Sequence, residues 1–484
     1  MESKFLKIMK KTLILFSALA ISLTSCNDDY LDFDKEDSIP AENFFQTEAD
    51  AIEGTNAIYA NLRSWEVSAF PSFIFSIASD DAEKGSSVGD ASFFNDYNNF
   101  TFTKTQVQID SWWRGQWNGV NRCNQVITKV PAISMDETLK NRLIAEARFL
   151  RAFHYWYLVR AFGGVPIYDG LPADGNYNIP RNTKEEVYAF IIADLQFAAQ
   201  NLPPTYSGAD KGRATSGAAK SYLAKLYLYQ QNWSQALTLS NEVMGMGYDL
   251  LPDYNSVFRI ANENSIESVF ESQASYVAGN CDISNSQYSQ TQGVRGLLGW
   301  GFNVPSQNLA DSFEAGDVRR DATIVFRGET TPEGDFIPLE GDNPMYNQKS
   351  YVPSGQIGPG CSEGSEQNVR LMRFAEVLLI NAEAANESGN TSQALESLNR
   401  VRNRAGLDDF DSADQAAIRQ AIWRERRSEL AMESIDRYFD VVRQGRGTEV
   451  FGPLGFQAGK NEVFPIPNDA IQLSNGVLEQ NTGY

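Results

Sequence analysis

Residues Thr138–Gly164 read TLKNRLIAEARFLRAFHYWYLVRAFGG, and the fold turns on this stretch. Ala145, Phe149, Ala152, Trp156 and Val159 recur at spacings of four and three, one buried helical stripe. Phe153, Tyr157 and Ala161 form a second stripe, so the helix is expected to pack between two neighbours. Gly163-Gly164 and then Pro166 stop it.

Further helical patterns flank it. TEADAIEGTNAIYANL predicts a helix from Glu48 to about Leu62, and SWWRGQWNGVNRCNQVITKV (111–130) an amphipathic one that stops before Pro131. Between them, Arg63–Asp110 reads as loop, heavy in Ser, Asp, Gly and aromatics. TKEEVYAFIIADLQFAAQNL (183–202) carries a capping box, Thr183 with Glu186 three residues on. SGAAKSYLAKLYLYQQ (216–231) and WSQALTLSNEVMGMG (233–247) follow, with Ala218, Ala219 and Ala224 small enough for close helix packing. From Asn368 three more appear: NVRLMRFAEVLLINAEAANESG, TSQALESLNRVRNRAG and SADQAAIRQAIWRERRSELAMESIDRYFDVVRQG. Helix pairs with short connections predict a mostly α fold, a tetratricopeptide-like repeat scaffold, with an irregular helical bundle as the alternative. Residues 252–367 break the pattern. They are rich in Gly, Ser, Asn, Gln and Pro, with short strands expected at SIESVFESQ and DATIVFRG, and read as a loop-rich insertion.

The amino end has Lys4, Lys7, Lys10 and Lys11 ahead of an apolar run from Leu13 to about Leu23, a signal peptide by pattern. Leu23-Thr24-Ser25-Cys26 resembles a bacterial lipobox, in which the Cys26 thiol is lipidated and becomes the first mature residue. Several acyl chains at about 0.8 kcal/mol per buried methylene anchor a protein firmly. The expected division is a signal peptide over 1–25, an acidic tether over 26–47, a helical part over 48–251, the insertion over 252–367 and a second helical part over 368–484.

The formal charge is −21; removing residues 1–25 takes away four lysines and Glu2, leaving a mature chain near −24. Phosphate contacts with nucleic acid are therefore excluded as a binding mode. One histidine, His154, and no C-x-x-C pair leave no zinc site of the usual type. Cys281 and Cys361 both lie in the insertion, where an oxidising compartment would allow them to pair; Cys123 lies on a helix and is expected as a buried thiol. Gly360–Gly364 is a literal G-x-S-x-G, but no strand precedes it, and the only histidine lies upstream, against the hydrolase order. Glu425, Glu429 and Glu433, at helical spacing beside Arg424, Arg426 and Arg427, read as a salt-bridged helix face. No catalytic residue is expected.

Several stretches together resemble the SusD/RagB family, outer-membrane nutrient-binding lipoproteins of Bacteroidetes. These are AEARFLRAFHYWYLVRAFGGVPIY (145–168), LMRFAEVLLINAEAANESGN (371–390), LNRVRNRAGL (398–407), ERRSELAMESIDRYFDVVRQG (425–445) and FPIPNDAIQLSNGVLEQNTGY (464–484). The departures are Ser434 after Glu433 where the family often has glycine, Thr482 for a usual proline, and His154 where an aromatic is common. The acids after Cys26 (Asp28, Asp29, Asp32 and Asp34) resemble the surface-export signal of such lipoproteins. The resemblance covers nearly all the mature chain. It implies a right-handed helical scaffold, an irregular ligand-carrying half, an oligosaccharide or sometimes a peptide as ligand, no cofactor, and a SusC-like TonB-dependent porin that the lipoprotein covers as a lid. It places the protein on the outer membrane, lipid-anchored and surface-exposed. A peptide binder, or a lipoprotein that only stabilises its porin, is the alternative.

The family has no fixed binding motif, so site residues rest on chemistry. Trp112, Trp113 and Trp117 share a helix with apolar neighbours and are expected in the core. Aromatics in loops offer flat faces to sugar C–H groups, while Asn, Gln and Asp bind hydroxyls. On that ground the candidates are Asp81, Phe94, Tyr97, Asn98, Tyr276, Tyr288 and Trp300, from a pool that also holds Trp65, Phe70, Phe93, Tyr346 and Tyr351. Asp80-Asp81 opens a loop and suits either a polar ligand or a cation; Trp300, in GWGFNVPSQNL, is either a binding ring or a structural one.

Overall fold

The computed structural model describes residues 44–277, 284, 287–297, 299–357, 365–433 and 435–484. Met1–Gln46 form one unit and Thr47–Tyr484 a second. Cys26, Cys281, Cys361 and the Gly360–Gly364 motif lie outside the described residues.

Among the described residues of the second unit, ten helices of eight or more residues carry the framework: α1 (Glu48–Leu62), α2 (Val107–Lys129), α3 (Glu137–Phe162), α4 (Lys184–Asn201), α5 (Ser216–Tyr229), α6 (Trp233–Met244), α7 (Phe374–Glu387), α8 (Thr391–Arg404), α9 (Gln415–Leu430) and α10 (Asp436–Arg443). Local chemistry sets their ends. Thr47 with Asp50, and Thr183 with Glu186, form capping boxes ahead of α1 and α4. Asp136 accepts from the Leu139 N–H at 2.8 Å to start α3, and Gly163, at φ 74°, ends it.

Both α3 stripes pack as expected, with α2 on one side and α4 on the other. Phe149 and Phe153 meet Tyr222 of α5 edge-on, and Trp156 meets Tyr229 of α5 at 4.7 Å. From α3 onward each helix leans on the next in an array running through α4, α5, α6, α7 and α8. An internal echo marks the repeat. Asn232-Trp233-Ser234-Gln235-Ala236-Leu237 opens α6, and Asn390-Thr391-Ser392-Gln393-Ala394-Leu395 opens α8. In both, the asparagine caps the helix, the preceding residue (Gln231 or Gly389) has positive φ, and the alanine is buried where helices touch.

Two helical expectations change. Val369–Arg373 is a strand, β6, and not the first turn of α7. It pairs antiparallel with β2 (Ser268–Ser272), and in this extended form Arg370 and Arg373 reach buried partners: the Val257 carbonyl for the first, Glu429 and Glu433 for the second. The long helix expected to run to Gly445 is broken between Leu430 and Asp436. Met432 turns to φ 64°, and side chains cap the end: Lys349 Nζ and Arg373 Nη2 donate to the Glu429 carbonyl at 3.0 and 3.1 Å.

The stretch read as loop from Arg63 to Asp110 holds short helices at Trp65–Ser68, Phe73–Ile77 and Asn95–Asn98, and strand β1 (Ala82–Gly85). β1 pairs with β3 (Phe302–Pro305), and β4 (Ile324–Phe326) with β5 (Met345–Asn347), both antiparallel. The insertion is thus stitched to the amino-terminal part by β1–β3 and to the carboxy-terminal part by β2–β6. An aromatic core joins segment 75–112 to the carboxy-terminal part: Phe75 meets Trp112, Phe439 and Phe464, and Phe102 stacks on Phe464 at 4.6 Å.

Candidate functional site

The seven expected site residues do not converge, and five of them are corrected. Asp81 is buried, and its Oδ1 accepts from Arg427 Nε at 2.7 Å; Asp80 takes both arms of Arg437 at 2.7 and 2.8 Å. Two arginines closing on the pair leave it no role as an open ligand contact or cation site. Among the described residues no group of three His, Cys, Asp or Glu is placed to hold a metal. Phe94 and Tyr97 are fully buried, Tyr97 stacking on Phe102 at 5.5 Å, and burial pushes its phenol well above the ordinary range. Asn98 donates to the carbonyls of Ile77 and Ala82 at 3.2 and 3.4 Å, tying helix to strand. These four sit in segments that look like loop in the sequence but are roofed by the insertion and the carboxy-terminal segment.

Tyr288 is the fifth. Half-buried, it lines a narrow cavity of about 60 Å³ with Ser68, Ser72, Ser76, Gln292 and Glu433, and burial of its hydroxyl end pushes the phenol up to about 12. A water needs roughly 10–15 Å³ of such space, so the cavity takes a few waters and no sugar ring. Tyr276 is half-buried beside residues outside the description.

Trp300 differs. It is half-buried, and its ring meets Trp65 at 6.4 Å and 65°. Trp65 stacks on Phe70 at 5.5 Å and 15°, and half-buried Phe93 meets Phe70 edge-on at 6.3 Å. The strand pairing builds this face. Gly85 lies opposite Phe302, and the Ser86 N–H donates to the Gly301 carbonyl at 2.6 Å. A Cβ at Gly85 would fall 2.3 Å from that carbonyl oxygen, and φ is +68°, so only glycine allows the crossing that sets Trp300 beside Trp65. Neither indole N–H donates to a described residue.

Charge borders the rings. Arg295 Nη1 reaches Asp90 at 2.7 Å, its Nε lies 3.8 Å from Asp342, and Nη1 also donates to Ser86 Oγ and, at 3.3 Å, to the Trp300 carbonyl. Hydrogen bonds from Ser86 and Ser87, then the Arg295 charge, hold the half-buried Asp90 carboxyl below its usual range. Flat indoles beside an ionised carboxylate–guanidinium cluster can stack sugar rings and hydrogen-bond their hydroxyls. Trp65, Phe70 and Phe93 were in the aromatic pool; Arg295, Asp90 and Asp342 carried no sequence signal, because nothing local says that 86–90 and 295–300 meet.

The Glu425, Glu429 and Glu433 face is also corrected. It is buried, and its partners come from other elements: Arg319 and Arg402 for Glu425, Arg319, Arg373 and Arg404 for Glu429, Arg373 for Glu433. Burial alone would raise the Glu429 carboxyl, but Arg404, Arg373 and Arg319 outweigh it and hold it well below the usual range.

Sequence models of two families match the chain. The SusD family matches residues 342–453, and a family described as "Starch-binding associating with outer membrane" matches residues 29–228. The chain is 32% identical to SusD-like protein P2 of Formosa agariphila, over 98% of this chain and 100% of that one. A solved laminarin-binding SusD-like protein is 30% identical and superposes with a TM-score of 0.81, covering 91% of this chain and 100% of its own. Surface glycan-binding protein A from Bacteroides thetaiotaomicron, solved in complex with laminarihexaose, shares the fold at 24% identity, with a TM-score of 0.76, covering 90% of this chain and 100% of its own.

Proposed function

The chain belongs to the SusD/RagB family, and from that membership we propose that it is a surface lipoprotein that binds an oligosaccharide at the Trp65–Trp300 face. The single observation that carries the site is the pairing of these two half-buried indoles, from segments far apart in sequence, with N–H groups that donate to no described residue. A net charge near −24 favours a neutral ligand over an acidic one. The laminarin named for the relative at 30% identity makes a β-glucan the first ligand to try.

The wider role follows the family: Cys26 lipidated, the domain held at the outer surface of the outer membrane, and a SusC-like TonB-dependent porin receiving the glycan. In this reading the protein binds its glycan without cleaving it, which the arginine pairing of Asp80-Asp81 and of the acids along α9 supports. Calorimetric titration of laminarin into the mature chain tests the site. Saturable binding weakened in W65A and in W300A supports it, and unchanged binding in both overturns it. Binding of peptides with no response to any glycan would favour the peptide reading. A C26A variant that still fractionates with the outer membrane in cells lacking the porin would overturn the anchor.

A further inference from the structure

A second set of rings lines the opposite kind of surface, one built on a regular helix. α2 places Trp113 and Trp117 one turn apart, with centroids 5.4 Å from each other. Trp117 meets Tyr168 at 5.5 Å, and Tyr168 meets Tyr177 at 5.5 Å. The four rings run along an open groove of about 520 Å³, whose far wall is the segment from Ala470 to Leu478. Trp113 is buried at its floor, Trp117 and Tyr168 are half-buried, and Tyr177 is 48% exposed. The sequence reading that put both Trp113 and Trp117 in the core holds for the first and not for the second.

The groove is rigid and polar where it matters. Asn124, beneath it, donates to the carbonyls of Tyr168 and Gly170 at 3.0 and 3.2 Å and so fixes the loop that carries Tyr168. Asn118 and Asn121, exposed on the rim one turn apart, make no side-chain hydrogen bond to a described residue. Arg114, the charged residue of the lining, is matched by Asp110 at 2.8 Å and Asp469 at 3.3 Å. A row of rings crossing at 64°, 78° and 55°, amides on the rim with no described partner, and one charge that is matched together describe a surface for an uncharged polyol.

We propose that this groove is a second binding site for a neutral oligosaccharide, separate from the Trp65–Trp300 face. The inference takes its ligand class from the function proposed above but shares no residue with that face. Two separated subsites on one chain would raise avidity for a long glycan without any new contact.

Calorimetric titration of laminarihexaose, and separately of maltohexaose, into the detergent-solubilised full-length lipoprotein tests it. The parent is expected to show two binding events per chain with at least one of the hexaoses. The exposed-site variants N118A/N121A and Y177A should each weaken one event at least tenfold, melt like the parent, and leave the other event intact. A W65A/W300A variant should lose that other event alone. If N118A/N121A and Y177A titrate like the parent, or if W65A/W300A abolishes all binding, the groove is no site while the first face stands. If the parent binds neither hexaose, the proposed function fails and the second site fails with it.

Discussion

Arg427 of α9 closes on Asp81 at 2.7 Å, joining the carboxy-terminal helices to the segment that leads into β1. Its partner pair, Arg437 and Asp80, makes the same crossing at 2.7 Å. These bonds hold the roof over residues that look solvent-facing in the sequence.

Asp81→Ala should therefore unfold the protein more easily without touching its site. Its removal takes one carboxylate out of a buried four-charge cluster but leaves Arg427 on Asp80 at 3.0 Å, so the cost should fall below the about 3–5 kcal/mol of a fully stranded buried charge. Denaturant midpoints should fall accordingly, while laminarin affinity of the folded fraction stays at the parent value. A stable D81A that no longer binds glycan would restore Asp81 to the site.

Tyr97→Ala and Trp300→Ala should part company. Tyr97 is fully buried against Phe102, so its truncation should cost about 3–5 kcal/mol of stability. Trp300 is half-buried at the surface, so its loss should lower the melting temperature little and weaken glycan binding at least tenfold, about 1.4 kcal/mol. Melting and calorimetry on the two variants side by side decide it; equal melting losses would make Trp300 a core residue.

Gly85→Ala should damage both properties. The new Cβ would meet the Gly301 carbonyl oxygen at 2.3 Å in a backbone at φ +68°. Strain of about 1–3 kcal/mol is expected, together with a displaced Trp300. A G85A variant with parental binding and stability would show that the β1–β3 crossing does not position the indole.

His154 sets a pH dependence. Its Nδ1 lies 2.8 Å from Gln116 Oε1, and α2 approaches so closely at Gly119 that a Cβ there would sit 2.1 Å from Nε2. Burial, helped by the Arg122 charge, pushes the imidazole down to about 3. An unfolded histidine titrates at about 6.5, so between these values the unfolded chain holds a proton that the folded one does not. Stability then falls as pH drops below 6.5, by at most about 1.4 kcal/mol per pH unit. Glu263 opposes this: burial raises its carboxyl to about 7, so folding takes up its proton and gains stability as pH falls through that range. H154F removes only the histidine contribution. Denaturation of parent and H154F at pH 7, 6 and 5 should show the parent losing ground to the variant as pH falls, and a constant gap would overturn the assignment.

Much of the scaffold was legible because helix signals are local. The stripes of α3, the Thr183–Glu186 box and the closing Gly163 each act within a few residues, so spacing alone reveals them. The β6 strand was not legible. Val369–Arg373 carries a helix-compatible pattern, and only the buried acids that meet Arg373, Glu267 and Glu429 among them, make the extended form the better one. The site was legible by composition and not by position. Aromatic loops mark both Trp300 and Tyr97, and nothing within either segment distinguishes a ring that is roofed from one that is not.

The sequence by itself determined the helical array, the family and the class of ligand to look for, since periodicity, caps and turn residues are written in short stretches. Tertiary structure alone decided which aromatics face solvent and which carboxylates are free. Burial and ion pairing depend on what the rest of the chain brings into contact: Arg427 onto Asp81, Phe102 onto Tyr97, and the Gly85 crossing that sets Trp300 against Trp65.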